Sequence, residues 1–177
     1  MKEEVILVDA EDREIGLMEK MQAHQEAKLH RAFSVFLMND KNEVLLQQRA
    51  LDKYHCGGMW TNTCCSHPRA GETLQNAVNR RLREEMGIAC ETSWVYSFIY
   101  QADVGGGLFE HEFDHVFLGR FLGIPQPDDT EVAGWKYVAL DQLQADVMTN
   151  PGQYTPWFKI ILAEVLKKNL LDGLLST

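Results

Sequence analysis

Positive charge is scarce in this chain. Lys and Arg number 17 against 26 Asp and Glu, a formal net charge of −9 at pH 7. A surface of that sign repels phosphate backbones and anionic lipid, which argues against nucleic acid or membrane as the main partner. It still leaves room for a local basic pocket that takes a small anion. Long apolar runs are missing as well. Nothing approaches the roughly 18 residues of a membrane span. The first ten residues are acidic with a short apolar run, unlike a secretory signal, so a cytoplasmic location is expected. Only four cysteines occur, Cys56, Cys64, Cys65 and Cys90. Two are adjacent, none forms a Cys-x2-Cys pair, and a chain of this length can hold a core without staples, so free thiols are expected. No glycine-rich dinucleotide fingerprint follows a strand, and no flavin is expected.

What remains is ordinary globular material, 45% hydrophobic and 24% charged over 177 residues. That composition suits one domain spanning 1–177, with neither repeats nor a linker to split it. Short apolar stretches at Val5 to Val8 and Glu14 to Met18 read as strands. Ala32 to Met38 and Glu43 to Arg49 read as hairpin partners across an Asn-Asp-Lys-Asn turn. Residues 50–71 read as loop. Ser93 to Val104 and Leu108 to Phe121 form a second hairpin around three glycines, and Trp135 to Val138 a further strand. Thr73 to Met86 has apolar residues at helical spacing and stops at Gly87. Asp141 to Val147 reads as a short helix. Thr155 caps a last helix that has Pro156 in its first turn and runs to about Leu166. The fold class expected is α+β, an α/β sandwich.

The stretch from Ser66 to Ile88 fits a spaced template, G-x5-E-x7-R-E-U-x-E-E-x-G-U with U bulky and apolar. Glu72, Arg80, Leu82, Glu84, Glu85, Gly87 and Ile88 match it. This resembles the Nudix signature and implies a mixed β-sheet flanked by helices. Ser66 and Arg81 depart from it. Nudix hydrolases use the carboxylates of this helix to hold metal ions that activate water on a diphosphate. Arg81 puts a cation where one carboxylate belongs, so it weakens metal binding there and can itself hold a diphosphate oxygen. Taken alone, the helix also reads as a surface laced with Arg80–Glu84 and Arg81–Glu85 pairs.

Three further pieces carry chemistry. In Thr-Asn-Thr-Cys-Cys-Ser-His-Pro (61–68), Cys65 and His67 point the same way if the backbone is extended. In the strand after the glycine turn, Glu110, Glu112 and Asp114 share one face, an arrangement that is solvated or else needs a counter-charge. His24 and His30 lie near the N-terminus. Together His24, His30, His67, Glu110 and Glu112 make a donor set suited to a divalent transition metal, Mn²⁺ or Zn²⁺. Half of a structural zinc site is the blander reading of the cysteine cluster.

In this order and combination the motifs closely resemble the type I isopentenyl-diphosphate isomerases, from about Val5 to Leu166. The resemblance implies an antarafacial 1,3-proton shift on a homoallylic diphosphate, with Cys65 and Glu112 as the two catalytic groups and Tyr100 beside the glutamate. It places the five His and Glu ligands around one metal. It places Mg²⁺ on Glu85 and the backbone carbonyl of Cys65. Arg49, Lys53 and Arg81 fall around the diphosphate, and Trp157 in the hydrocarbon pocket. Which of Cys65 and Glu112 acts first is left open, and Cys65 serves as a base only if cations depress its pKa. A monomer or weak homodimer is expected. Two rivals remain: a true Nudix hydrolase of nucleoside diphosphate derivatives, and a non-catalytic metal-binding domain.

Overall fold

The structure is a computed structural model that describes residues 3–172. Its elements run β1 (Glu4–Val8), β2 (Glu14–Glu19), α1 (Lys20–Gln25), β3 (His30–Met38), β4 (Glu43–Arg49), β5 (Trp60–Thr61), β6 (Cys64–Ser66) and α2 (Leu74–Met86). They continue with β7 (Thr92–Gly105), β8 (Leu108–Arg120), β9 (Val132–Ala139), α3 (Leu140–Thr149) and α4 (Pro156–Lys167). The α+β class expected from the sequence is what forms: a mixed sheet with helices packed against it. None of the described helices is long and apolar enough to cross a membrane.

Strand β3 is the axis. It is buried along nearly its whole length, as its almost unbroken apolar run requires of a central strand. It runs parallel to β8 from His30↔Glu112 to Met38↔Arg120, and β8 pairs antiparallel with β7. The expected β3–β4 hairpin is only partly made. The two strands are paired at Met38↔Val44 and then part company, because β4 takes β9 and β5 as its partners instead.

The segment anticipated as loop fills that fork. Residues 60–66 supply β5, which pairs with β4, and β6, which pairs with β3 through Ser34↔Cys65. Thr63 ties the fork together: its hydroxyl accepts from Leu37 N at 2.9 Å and donates to Leu45 O at 2.7 Å. These two short strands were not legible as strands, since each is two or three residues long. Helix α1 was also missed. It has six residues and is held by the Glu19 side chain, which accepts from Met21 N and Gln22 N; so short a helix depends on tertiary packing rather than propensity.

Two apolar clusters lie on opposite faces. Ala77, Val78, Leu82 and Met86 of α2 pack on Phe33, Val35, Leu37 and Phe117. Trp157, Phe158, Ile161 and Leu162 of α4 pack on Phe36, Leu46 and Tyr100. Helix α2 begins at the Thr73 cap and ends at Gly87 in the left-handed region, φ 63°. The chain beyond β8 closes that end, with Gln126 N donating to Met86 O and Asp128 N to Glu85 O. A Cβ on residue 87 would meet the backbone carbonyl of Gln126. Gly87→Ala is therefore expected to destabilise the protein by at least about 2 kcal/mol, read as a lower urea midpoint; an unchanged midpoint would contradict this packing.

Candidate active site

The imidazoles come from three elements and meet at one point. His24 sits on α1, His30 opens β3, and His67 follows β6. Glu110 and Glu112 lie on the inward face of β8, and His30 is the register partner of Glu112. His24 Nδ1 lies 2.6 Å from Lys20 O, and His30 Nδ1 2.8 Å from Lys28 O. A backbone carbonyl only accepts, so each Nδ1 carries the hydrogen and each neutral ring turns its Nε2 lone pair inward. There His24 Nε2 lies 3.0 Å from Glu110 Oε2, His30 Nε2 3.1 Å from His67 Nε2, and His67 Nε2 3.0 Å from Glu112 Oε1. His30 Nε2 is 3.7 Å from the same Glu112 oxygen.

This arrangement is acceptor-rich and buried. All five side chains are buried or nearly so. Burial opposes protonation of His24, but the Glu110 carboxylate wins and its pKa is raised. Burial pushes His67 well down, and its neighbours His30 and Lys20 add to the fall. Burial and the Glu112 charge favour the acid form of Glu110, yet His24 and His55 hold it below the usual range. Glu112 is likewise held low: burial opposes ionisation, and His30 and the Tyr100 hydroxyl outweigh it. That hydroxyl donates to Glu112 Oε2 at 2.6 Å.

Cys65 lies across β3 from Glu112, on β6. Its Sγ donates to Asn62 Oδ1 at 2.9 Å and lies 3.4 Å from Ser34 Oγ, which donates to Asp114 Oδ1 at 3.0 Å. Its protein surroundings raise this thiol rather than depress it. Burial pushes Cys65 up, and the neighbouring carboxyl groups Asp114 and Glu112 add to the rise, so the thiol is the resting form. Arg81 lowers the adjacent Cys64 instead, and burial of Cys64 overrides it.

Both groups open on one cavity of about 240 Å³, whose lining includes every basic residue expected around a diphosphate and the Trp157 indole. Arg49 stacks its guanidinium 5.1 Å from the Trp157 ring. Lys53 pairs with Glu131 at 2.5 Å. Arg81 reaches Glu84 at 2.7 Å, Glu85 at 2.6 Å and Glu131 at 3.5 Å. The ion-pair reading of α2 is thus realised, and Arg80 is clamped by Glu72 at 2.8 Å as well. Glu85 is buried and also accepts from Gln47 Nε2 at 2.9 Å. Cys56, Cys64, Cys65 and Cys90 are all free thiols.

Some lining residues went unread in the sequence. His55, 3.3 Å from Glu110 Oε1, is two residues past Lys53 in the same basic stretch, a usable signal. Lys20, Tyr54 and Glu131 line the cavity too. No spacing marks them, because they arrive from separate elements.

A divalent cation fits these donors. His24, His30, His67 and Glu110 each offer one ligand atom, and all of those atoms lie within 4.8 Å of one another. Inward lone pairs facing carboxylate oxygens repel unless a proton or a metal stands between them, and the Nδ1–carbonyl bonds are the usual outer support of a metal-binding imidazole. Adding Mn²⁺ or Zn²⁺ at about 100 times its Kd is expected to stabilise the protein by about 2.7 kcal/mol. The gain should vanish in His67→Ala and fade below about pH 6, where imidazoles protonate. A Tm indifferent to both metals would count against the site.

The NUDIX domain family profile matches residues 28–158. Isopentenyl-diphosphate Delta-isomerase 2 of Aromatoleum aromaticum is 47% identical over 173 residues, 98% of this chain and 92% of that one. Isopentenyl-diphosphate Delta-isomerase of Burkholderia multivorans is 50% identical over 162 residues, 92% of each. A solved structure from Deinococcus radiodurans superposes with a TM-score of 0.70 at 20% identity, covering 84% of this chain and 90% of that one, a likeness of fold. The chain belongs to the isopentenyl-diphosphate Delta-isomerases, a family of NUDIX domain proteins.

Proposed function

We propose that the chain, working as a single Nudix-like domain in the cytoplasm, interconverts isopentenyl diphosphate and dimethylallyl diphosphate and so supplies isoprenoid precursors. One observation carries the mechanism: Cys65 and Glu112, from strands on either side of β3, face one cavity that also holds Arg49, Lys53, Arg81 and Trp157. The three cations bind the diphosphate. The hydrocarbon end then lies between the thiol and the carboxyl.

One of the pair adds a proton to the terminal alkene carbon, which leaves a tertiary carbocation. The other removes a proton from the carbon on the far side of that centre, and the double bond re-forms one position along. One proton is added and one is lost, so the substrate is isomerised without net change. Such a cation survives only where water is excluded, and the Trp157 face stabilises it by a cation–π contact of about 2 kcal/mol when desolvated. Tyr100 holds Glu112 in place through its short hydrogen bond.

His24, His30, His67, Glu110 and Glu112 would hold Mn²⁺ or Zn²⁺. Glu85, with the Cys65 backbone carbonyl, would hold Mg²⁺. The ions supply charge that tunes the carboxyl and neutralises the diphosphate. Hydrolysis is the weaker reading, since Arg81 puts a cation where the hydrolase signature carries a carboxylate, and it pairs with Glu84.

Cys65→Ser and Glu112→Gln should each lower kcat by about 10³-fold or more with Tm retained, as expected for groups that move the proton. The readout is proton NMR of the two isomers. Arg81→Gln should instead act mainly on KM, raising it about tenfold for a lost charge-assisted contact. Undiminished turnover in either Cys65→Ser or Glu112→Gln would sink the assignment.

A further inference from the structure

The hydrogen bonds behind Cys65 form one directed chain. Asn62 is fully buried. Its side-chain nitrogen donates to Val35 O and to Cys64 O, each at 3.0 Å. A primary amide has two N–H groups, so both are used and the oxygen end is fixed. That oxygen faces Cys65 Sγ at 2.9 Å; a carbonyl only accepts, so the thiol is the donor. The same oxygen accepts from Thr61 Oγ1 at 3.0 Å.

Thr61 has a single proton, now committed. Its lone pairs take the Trp157 indole N–H at 3.2 Å and the Thr155 hydroxyl at 3.3 Å. Thr155 in turn caps α4 by accepting from Phe158 N. Direction therefore runs without a break from the start of α4, through Thr61 and Asn62, to the oxygen that holds the thiol. Thr61, Asn62, Thr155 and Trp157 are all buried, so water does not compete for these bonds.

We propose that Asn62 and Thr61 are positioning residues of the isomerisation, fixing the Cys65 sulfur and the Trp157 ring in one mutual geometry; the proposal rests on the isomerase reading above. The sulfur must reach one face of the substrate while the indole meets the cation. A cysteine has three staggered χ1 positions, and the bond to Asn62 selects one of them. The indole could tilt about its own side-chain bonds, and the bond to Thr61 prevents it. Neither residue is needed for the protons to move, and a purely structural role would lower stability while leaving kcat per folded molecule unchanged.

The test uses the full chain with Mg²⁺ and Mn²⁺, and compares wild type with Thr61→Val, Thr61→Ser and Asn62→Ala. Steady-state kinetics with isopentenyl diphosphate give kcat and KM. Iodoacetamide alkylation, located residue by residue from fragment ions of the peptide that carries Cys56, Cys64 and Cys65, gives the reactivity of Cys65 separately from the other cysteines. Thr61→Val should lower kcat about 30-fold with KM within about threefold, and Thr61→Ser, which keeps the hydroxyl, should stay within about threefold of wild type. Asn62→Ala should lower kcat about 100-fold and speed Cys65 alkylation about tenfold as the thiol leaves its acceptor. Equal kcat in Thr61→Val and Thr61→Ser overturns the proposal, and so does unchanged alkylation in a folded Asn62→Ala. Should Asn62→Ala fail to fold, the Thr61 pair decides alone. If wild type does not isomerise the substrate, the functional reading fails, and the alkylation rates still decide whether this chain of bonds holds the thiol.

Discussion

Three carboxyl groups buried on one face of β8 set the terms for the rest of the molecule. Glu110, Glu112 and Asp114 are each less than a tenth exposed, and a charge taken out of water must be compensated or neutralised. The fold does both. Glu110 is met by His24 and His55, and Glu112 by His67, His30 and Tyr100. Asp114, whose only hydrogen-bond partner among the described residues is Ser34, is pushed toward its acid form by burial and by Glu112. Helix α1, the start of β3 and the turn after β6 are each placed where an imidazole or hydroxyl can reach this face.

The fork between β3 and β4 solves a second problem, how to put a thiol opposite those acids. A continuous hairpin would have closed the space. Because β4 turns away to β9, residues 60–66 enter the gap and bring Cys65 beside β3. The buried side chains of Asn62 and Thr63 hold that segment to both neighbouring strands. On α2, Arg81 stands where the signature carries a carboxylate, pairs with Glu84 and Glu85, and lines the cavity wall.

Much of this was legible in the sequence. Period-2 alternation put Glu110, Glu112 and Asp114 on one face of β8, and that face is the buried one. Helical spacing with Thr73 and Gly87 at its ends gave α2 closely. The cysteine segment and the three histidines were found because their residue types are costly to bury without purpose. What could not be read is long-range. Helix α1 has six residues and too little pattern to announce itself, and β5 and β6 exist only because the fork offers them partners. His55 was passed over, and the fold brings it to Glu110. The state of the Cys65 thiol was left conditional on nearby cations, and what raises it, burial first and then Asp114 and Glu112, is set by the packing of β6 and β8 about β3.

The central claim is that Cys65 and Glu112 give and take protons on opposite faces of an allylic diphosphate. It is tested most directly by incubating the purified protein with isopentenyl diphosphate and Mg²⁺ in D₂O. Dimethylallyl diphosphate should appear, with deuterium entering the positions that the proton shift exchanges. If no dimethylallyl diphosphate forms and no label enters, the account is contradicted.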